Sequence, residues 1–145
     1  LRRDRETPQG TGMTVGILLI THADLGRCLL QAARSILAAE PALAEAIDVP
    51  VDIEPDEAFD QALAACRRLD RGDGVMVLTD LYGSTPSNIA SRLEGHHNVQ
   101  VLAGVNLPML VRALNYRASP LGELADKALH GARDGVVLSK GEKVS

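Results

Sequence analysis

Aromatic residues are almost absent from this chain of 145 residues, which has one phenylalanine, two tyrosines and no tryptophan. A hydrophobic core must therefore be built from Leu, Val, Ile and Ala, the residues that fill parallel sheets covered by helices on both faces. Hydrophobic residues make up 46% of the chain, enough for one domain with a full core. The composition therefore favours a single α/β domain.

The sequence also lacks the features of membrane proteins, nucleic-acid-binding proteins and metal-binding proteins. No apolar run approaches the roughly 20 residues that cross a bilayer. The formal net charge is −4 and no basic stripe is present, so we expect no nucleic-acid partner. Cys28 and Cys66 have neither CxxC nor metal-ligand spacing, so no metal site is predicted. Each lies on the apolar face of a predicted helix, and we expect two buried, reduced thiols in a cytoplasmic protein.

The first twelve residues, 1–12, are polar and contain arginines, and they lack the apolar core of a signal sequence. We interpret them as a disordered lead-in, an upstream start or a cloning remnant. The folded domain is then expected to span residues 13–145.

Within that domain, strand patterns alternate with helical ones. Strand patterns cover Thr14–Thr21, Ala46–Ile53, Val75–Asp80 and Val99–Ala103, and helical patterns follow at about Leu25–Ala39, Asp56–Leu69, Thr85–Glu94, and from Asn106 and Pro120. Pro50 would remove a ladder donor from the second strand and so places it at an edge. With right-handed crossovers, the strand order predicted is 2-1-3-4, in a three-layer sandwich with a mainly parallel sheet.

A last strand is predicted at Val136–Leu138, a short apolar segment that follows Gly135. Such a strand needs a sheet edge to pair with. The pattern leaves open whether that edge belongs to the same chain or to a partner, because exchanged elements make the same bonds.

The most informative positions are two polar residues at strand ends. His22 follows the first strand, and Asp80 ends the third. In the order 2-1-3-4 these two strands flank the point where the order reverses, which is where ligands bind in open α/β sheets. We therefore expect His22 and Asp80 to be neighbours.

The chemistry predicted for this pair is phosphoryl acceptance by His22. A carboxylate that accepts a hydrogen bond from one imidazole nitrogen fixes the tautomer and leaves the other nitrogen as a nucleophile. Thr85, followed by Pro86, is predicted to be the N-cap of a helix. Its free amides and the hydroxyls of Ser84 and Thr85 would then bind the anion.

The residues elsewhere in the sequence disfavour a hydrolase or a metal site built around His22 and Asp80. A Ser-His-Asp hydrolase would need a GxSxG elbow, which the sequence lacks. A metal site would need further ligands, but His96 and His97 lie in a predicted turn, where we expect them to be exposed, and His130 lies on a late helix.

Two alternatives stay open. A response-regulator receiver would be phosphorylated on Asp80, but it needs an acidic pair after the first strand, where only Asp24 is present. It also needs a lysine after the fourth strand, where the sequence reads Leu102-Ala103-Gly104. The other alternative is a non-catalytic regulatory domain that holds a small anion at the start of the Thr85 helix.

Three segments together resemble the mannose-type (mannose/fructose/sorbose) IIA domain of the bacterial phosphoenolpyruvate:sugar phosphotransferase system. They are the strand ending in His22, the segment Asp80–Ser91 and the segment Ala103–Leu110, which contains the unusual string Gly-Val-Asn-Leu-Pro-Met-Leu. The resemblance runs from about Met13 to the predicted C-terminal strand.

This resemblance implies a phosphotransferase in which His22 takes a phosphoryl group from the phosphocarrier HPr and passes it to a IIB component, for sugar uptake or regulation. It also implies that Asp80 is the hydrogen-bond partner of His22. No cofactor is expected. We expect a separate IIB protein, with a IIC/IID membrane permease reached through it, and a homodimer in which the strand Val136–Leu138 is exchanged.

The sequence departs from the family pattern beside the predicted site. After the aspartate the family commonly has Thr-Trp-Gly-Gly-Ser-Pro, whereas this chain has Leu-Tyr-Gly-Ser-Thr-Pro at 81–86. Thr85 keeps a hydroxyl where the family has serine, and Ser84 replaces a glycine. Ala23 follows the histidine where many members have glycine.

Overall fold

The computed structural model describes residues 12–142, and the predicted lead-in therefore lies outside the described residues except for Gly12. The described chain forms four strands and five helices. The strands are β1 (Gly16–His22), β2 (Ala44–Val49), β3 (Val75–Thr79) and β4 (Val99–Ala103); the helices are α1 (Leu25–Leu37), α2 (Pro55–Leu69), α3 (Thr85–Leu93), α4 (Leu107–Asn115) and α5 (Leu121–Asp134).

The four strands form one parallel sheet in the order β2-β1-β3-β4, as predicted. β1 and β3 occupy the centre, and every residue of β3 is buried. Ile20 of β1 pairs with Ile47 on one side and with Thr79 on the other, so the carboxyl ends of the central strands lie side by side. This edge of the sheet receives the two polar residues that the sequence places at strand ends.

Alternate residues of the central strands fill two separate apolar cores, which makes the domain a three-layer sandwich. Leu18, Ile20 and Val77 pack beneath α2 and α3, whereas Leu19 and Met76 pack beneath α1, α4 and α5. Burying one such side chain contributes about 1.5–3 kcal/mol. The two cores hold the sheet rigid and so fix the positions of its strand ends.

β2 lies at an edge of the sheet, but not for the reason predicted. The strand ends at Val49, so Pro50 follows it and removes no ladder donor from it. The strand is tied by an ion pair to a helix on each face of the sheet. Arg27 of α1 makes a bidentate ion pair with Asp48, and Arg68 of α2 pairs with Glu45, each at a closest distance of 2.8 Å.

Two of the five helices, α2 and α3, are capped by residues other than those expected. The N-cap of α2 is Glu54, whose carboxylate accepts the amide of Glu57 at 3.0 Å, whereas Asp56, which the sequence pattern predicts to cap this helix, lies inside it. The N-cap of α3 is Ser84 rather than Thr85. Asn106 caps α4 as predicted and accepts the amide of Met109 at 2.9 Å.

The predicted strand at Val136–Leu138 does not form in the single chain. These residues are 75%, 76% and 89% exposed and follow the C-terminal end of α5 without pairing to a described strand. The amide of Val136 donates to the carbonyl of Arg133, so the segment begins as the end of a helix rather than as a sheet ladder.

Two expectations about side-chain burial are wrong. Cys66 is buried, and burial raises the pKa of its thiol to about 11, but Cys28 lies exposed on α1. His97 is partly buried, with 17% of its side chain exposed, and its Nε2 pairs with Asp70 Oδ2 at 2.7 Å. The ring of His96 is exposed, as predicted, and contacts Phe59 edge-on.

Candidate functional site

The ends of the two central strands bring His22 and Asp80 into contact. His22 is the last residue of β1, and Asp80 follows the last residue of β3. The Nδ1 atom of His22 lies 2.9 Å from Oδ2 of Asp80. The sheet register therefore produces the neighbouring pair that the strand order predicts.

The Asp80 carboxylate accepts three hydrogen bonds. Its Oδ2 accepts both the backbone N–H and the ring Nδ1–H of His22, and its Oδ1 accepts the amide of Leu81, all at 2.9 Å. Burial opposes ionisation of Asp80, but the hydrogen bonds from His22 and Leu81 outweigh it and hold the pKa of Asp80 below its ordinary value. Asp80 is therefore an anion at neutral pH.

An anionic acceptor at Nδ1 determines the tautomer of His22. The proton of the neutral ring resides on Nδ1, and Nε2 keeps its lone pair. Among residues 12–142, Nε2 has no hydrogen-bond partner, and the side chain is 48% exposed. The ring borders an open pocket of about 150 Å³, whose other walls are Val49, Pro50, Val51, Thr85 and Pro86.

Thr85 and Ser84, the two predicted anion ligands, lie in different settings. Thr85 is the first residue of α3 and lines the pocket beside His22. The hydroxyl of Ser84 donates to the carbonyl of Leu81 at 2.5 Å, and its amide donates to the same carbonyl at 3.2 Å. The structure thus places Thr85 at the pocket, while the Ser84 hydroxyl is engaged within the loop.

The backbone around His22 depends on Ala23, which the sequence marks only as a departure from the family pattern, and on Thr21, whose role the sequence does not predict. Ala23 has φ 47°, a left-handed conformation that favours glycine, and its amide donates to the carbonyl of Val49 at 3.3 Å. The buried hydroxyl of Thr21 accepts the amide of Gly26 at 2.8 Å and so fixes the start of α1. The sequence indicates the left-handed conformation of Ala23 only through the family resemblance, since many members have glycine at this position.

Ser87 shapes the loop on the other side of the pocket. This loop, residues 81–84, is called here the site loop. The Ser87 hydroxyl is buried and accepts the amide of Gly83 at 3.2 Å. Gly83 has φ +85°, which a side chain would strain. In the sequence, only the Gly-x-x-x-Ser spacing of Gly83 and Ser87 indicates this contact, and that spacing is too common in proteins to predict a hydrogen bond.

The site contains two titratable side chains rather than a metal cluster. Among the described residues, no group of three or more His, Cys, Asp or Glu side chains could hold a metal ion. His97 is engaged with Asp70, and His130 Nδ1 lies 2.8 Å from the carbonyl of Asp126, so neither joins His22. None of the helices in residues 12–142 has the length and apolar character needed to cross a bilayer.

Comparisons with known proteins agree with one another. The model of the family EIIA-man, described as PTS system fructose IIA component, matches residues 16–129. The PTS system mannose-specific EIIAB component of Escherichia coli K12 is 32% identical over 135 residues. That match covers 91% of this chain and 42% of the relative, and a protein of the same description from Shigella flexneri matches equally. The chain thus spans less than half the length of these curated relatives.

Solved structures share the fold. The mannose/sorbose specific IIA subunit of a phosphotransferase system from Enterococcus faecalis has a TM-score of 0.82 at 23% identity and covers 92% of this chain and 100% of its own. Phosphotransferase system component EIIA from Streptococcus agalactiae has a TM-score of 0.77 at 23% identity, covering 85% and 95%. The α/β sandwich with this strand order is therefore common to all three proteins.

Proposed function

This chain belongs to the EIIA-man family of phosphotransferase-system IIA components, and we propose that it carries a phosphoryl group on Nε2 of His22. The donor would be phosphorylated HPr and the acceptor a IIB component. The observation that carries this proposal is the 2.9 Å contact between Nδ1 of His22 and the anionic Asp80, which leaves Nε2 without a hydrogen bond among residues 12–142 on a ring that lines the pocket.

The transfer step needs no group beyond the two imidazoles and the phosphoryl group. The Nε2 lone pair forms a P–N bond while the P–N bond of the donor phosphohistidine breaks and its electron pair returns to the donor ring. Positive charge then develops on the ring of His22. Asp80 balances this charge and retains its hydrogen bond to Nδ1–H throughout, so the ring does not reorient.

The start of α3 would bind the phosphoryl oxygens. Thr85 already lines the pocket, and a helix N-terminus provides amide donors and a favourable dipole for an anion. Ser84 is proposed as a second ligand, and its hydroxyl would have to exchange the carbonyl of Leu81 for a phosphoryl oxygen. Thr85 is thus the ligand that needs no rearrangement.

The partners follow from the family. The curated relatives carry the description mannose-specific EIIAB component, and this chain spans 42% of their length. We propose that a IIB component receives the phosphoryl group in the cytoplasm and passes it toward a IIC/IID permease or a regulatory target. We further propose a homodimer in which the exposed segment 136–138 pairs with the partner's sheet.

The proposal is tested by labelling with phosphorylated HPr that carries ³²P. The parent protein should gain label that is stable in base and lost in acid, as phosphohistidine is, and His22→Ala should gain none. His130→Ala is the matched control, because it removes an exposed histidine outside the site. Base-labile label would indicate an acyl phosphate on Asp80, and label that washes away would indicate an anion-binding domain; either result refutes the proposal.

A further inference from the structure

The unusual string Gly104–Leu110 forms the turn from β4 into α4 and the start of that helix. Among the described residues, the walls of the His22 pocket include no member of this string. Its first two amides instead reach the end of the neighbouring strand β3. The N–H of Gly104 donates to the carbonyl of Asp80 at 3.1 Å, and the N–H of Val105 donates to the carbonyl of Thr79 at 3.0 Å. The string therefore contacts the main chain of a site residue.

The left-handed conformation of Gly104 makes this double contact possible. Along an extended strand, successive N–H groups point to opposite sides, so one of two consecutive amides would normally point away from β3. Gly104 has φ +87°, which turns the chain so that its own amide and that of Val105 both face β3. In residues 12–142, no atom lies within 4 Å of a Cβ built at this position. The backbone angle, rather than crowding, is therefore what favours glycine here.

Asp80 is thereby held from both neighbouring strands. On the β4 side, its carbonyl accepts the amide of Gly104. On the β1 side, its carboxylate accepts the backbone N–H and the ring Nδ1–H of His22. Because the aspartate side chain is short, a rotation of its main chain would carry the carboxylate away from the ring. The turn after β4 therefore bears on the distance between Asp80 and His22.

Asn106 fastens the far end of this turn. Its Oδ1 accepts the amide of Met109 at 2.9 Å and caps α4, while its Nδ2 donates to the carbonyl of Ala132 in α5 at 3.1 Å. The two helices are closely packed at this point, because a Cβ on Gly135 would lie 2.4 Å from the side chain of Pro108. The partly buried amide of Asn106 thus joins the turn to a tightly packed helix pair.

We propose that Gly104 and Asn106 are positioning residues for phosphoryl transfer. Together they fix the main chain of Asp80, and through Asp80 they hold the ring of His22 in its reactive tautomer and orientation. The effect on the transfer rate rests on the proposed function, whereas the effect on the ring of His22 is independent of it.

The first test compares Gly104→Ala with Gly72→Ala. Gly72 has φ +108°, and in the described part of the chain a Cβ there also meets no atom within 4 Å, so both substitutions strain a left-handed residue without a clash. Gly72 precedes β3, whereas Asp80 follows it. We expect ¹⁵N chemical shifts of the His22 ring to show a weakened preference for Nδ1–H in Gly104→Ala and the parent pattern in Gly72→Ala. A folded Gly104→Ala protein with the parent tautomer would overturn the proposal.

The second test separates the cap of α4 from the tie to α5, and it applies equally if Gly104→Ala does not fold. Asn106→Ser keeps an N-cap oxygen for the amide of Met109, but its side chain is one bond shorter and does not reach the carbonyl of Ala132. Asn106→Ala loses both contacts. We expect the two variants to weaken the Nδ1–H preference of His22 alike. Parent ring shifts in Asn106→Ser would overturn the proposal.

The third test measures the rate of His22 labelling over a range of concentrations of phosphorylated HPr. A positioning residue acts on the reacting ring rather than on the docking of HPr, so the maximal rate should fall while the half-saturating concentration stays unchanged. Because a misplacement of about 1 Å costs up to 10²-fold in rate, we expect Gly104→Ala and Asn106→Ser to lower the maximal rate by about ten- to a hundredfold. Gly72→Ala should keep the parent rate.

A parent maximal rate in Asn106→Ser would overturn the proposal, as would a change confined to the half-saturating concentration. Failure of the parent protein to take any label would refute the phosphoryl-carrier function. The ring shifts would then still decide whether the turn after β4 positions Asp80 against His22.

Discussion

Replacing Asp80 by asparagine tests the central contact of the site most directly. The carboxylate has two acceptor oxygens, and both are used: Oδ2 for the backbone and ring of His22, and Oδ1 for Leu81. An asparagine has the same shape but only one oxygen. Its NH₂ group must therefore face either the His22 donors or the Leu81 amide, and one of these hydrogen bonds is lost.

The expected decrease in the rate of phosphoryl uptake follows from the positive charge that the His22 ring acquires during transfer. A hydrogen bond to a charged group contributes about 1.5–3 kcal/mol, and this stabilisation is largest once the ring of His22 is positive. Since about 1.4 kcal/mol corresponds to a tenfold change in rate, Asp80→Asn should slow phosphoryl uptake by about ten- to a hundredfold. The substitution should also remove the strong preference for the Nδ1–H tautomer.

Rapid-quench labelling with phosphorylated HPr measures the rate, and ¹⁵N chemical shifts of the His22 ring report the tautomer. Asp73→Asn is the matched control, because Asp73 lies before β3, at the opposite end of the strand, and accepts the amide of Thr14. An Asp80→Asn protein that is labelled at the parent rate, with an unchanged tautomer, would refute the reasoning.

Three further predictions concern stability and reactivity. Burial opposes ionisation of Asp70, but hydrogen bonds from two loop amides and from His97 outweigh it and lower the pKa of Asp70. The ionised Asp70 therefore stabilises the fold above the unfolded-state pKa of about 3.9, and this stabilisation is lost as pH falls through the lower folded-state pKa. Asp70→Asn should flatten that part of an acid-unfolding curve. Ellman's reagent should modify Cys28 rapidly and Cys66 only on unfolding, because Cys66 is buried and its thiol pKa is about 11; equal rates would contradict this. A Cβ on Gly131 of α5 would lie 2.7 Å from the Cβ of Arg112, closer than side-chain Cβ atoms come, so Gly131→Ala should lower the free energy of unfolding in a urea titration by about 1–2 kcal/mol, after the helix-propensity gain of about 1 kcal/mol is set against the overpacking.

The order and type of the strands could be predicted because apolar patterning and right-handed crossovers act over whole elements. The residues at which individual strands and helices begin or end could not be predicted. Pro50 lies outside β2 rather than within it, and Glu54 rather than Asp56 caps α2, because neighbouring residues of similar chemistry compete for each end. The partnership of His97 with Asp70 joins residues 27 positions apart, which no local pattern encodes.

The same distinction applies to the site. His22 and Asp80 are at strand ends, so the strand order alone brings them together. Thr21 and Ser87 act through hydrogen bonds to backbone amides whose positions depend on the folded loops. Their contribution therefore becomes visible only in the structure.

The ion pairs of β2 with Arg27 of α1 and Arg68 of α2 bear on how this sheet could polymerise. A sheet with two open edges can add strands at both ends and grow into a fibre. Here Arg27 and Arg68 place charged groups on both faces of β2, and such charges discourage strand addition at that edge, so β4 is the edge better suited to assembly. Two copies joined at β4 would present only their charged β2 edges outward. Growth would then terminate after a single addition, and the chain could expose an apolar tail without the hazard of forming filaments.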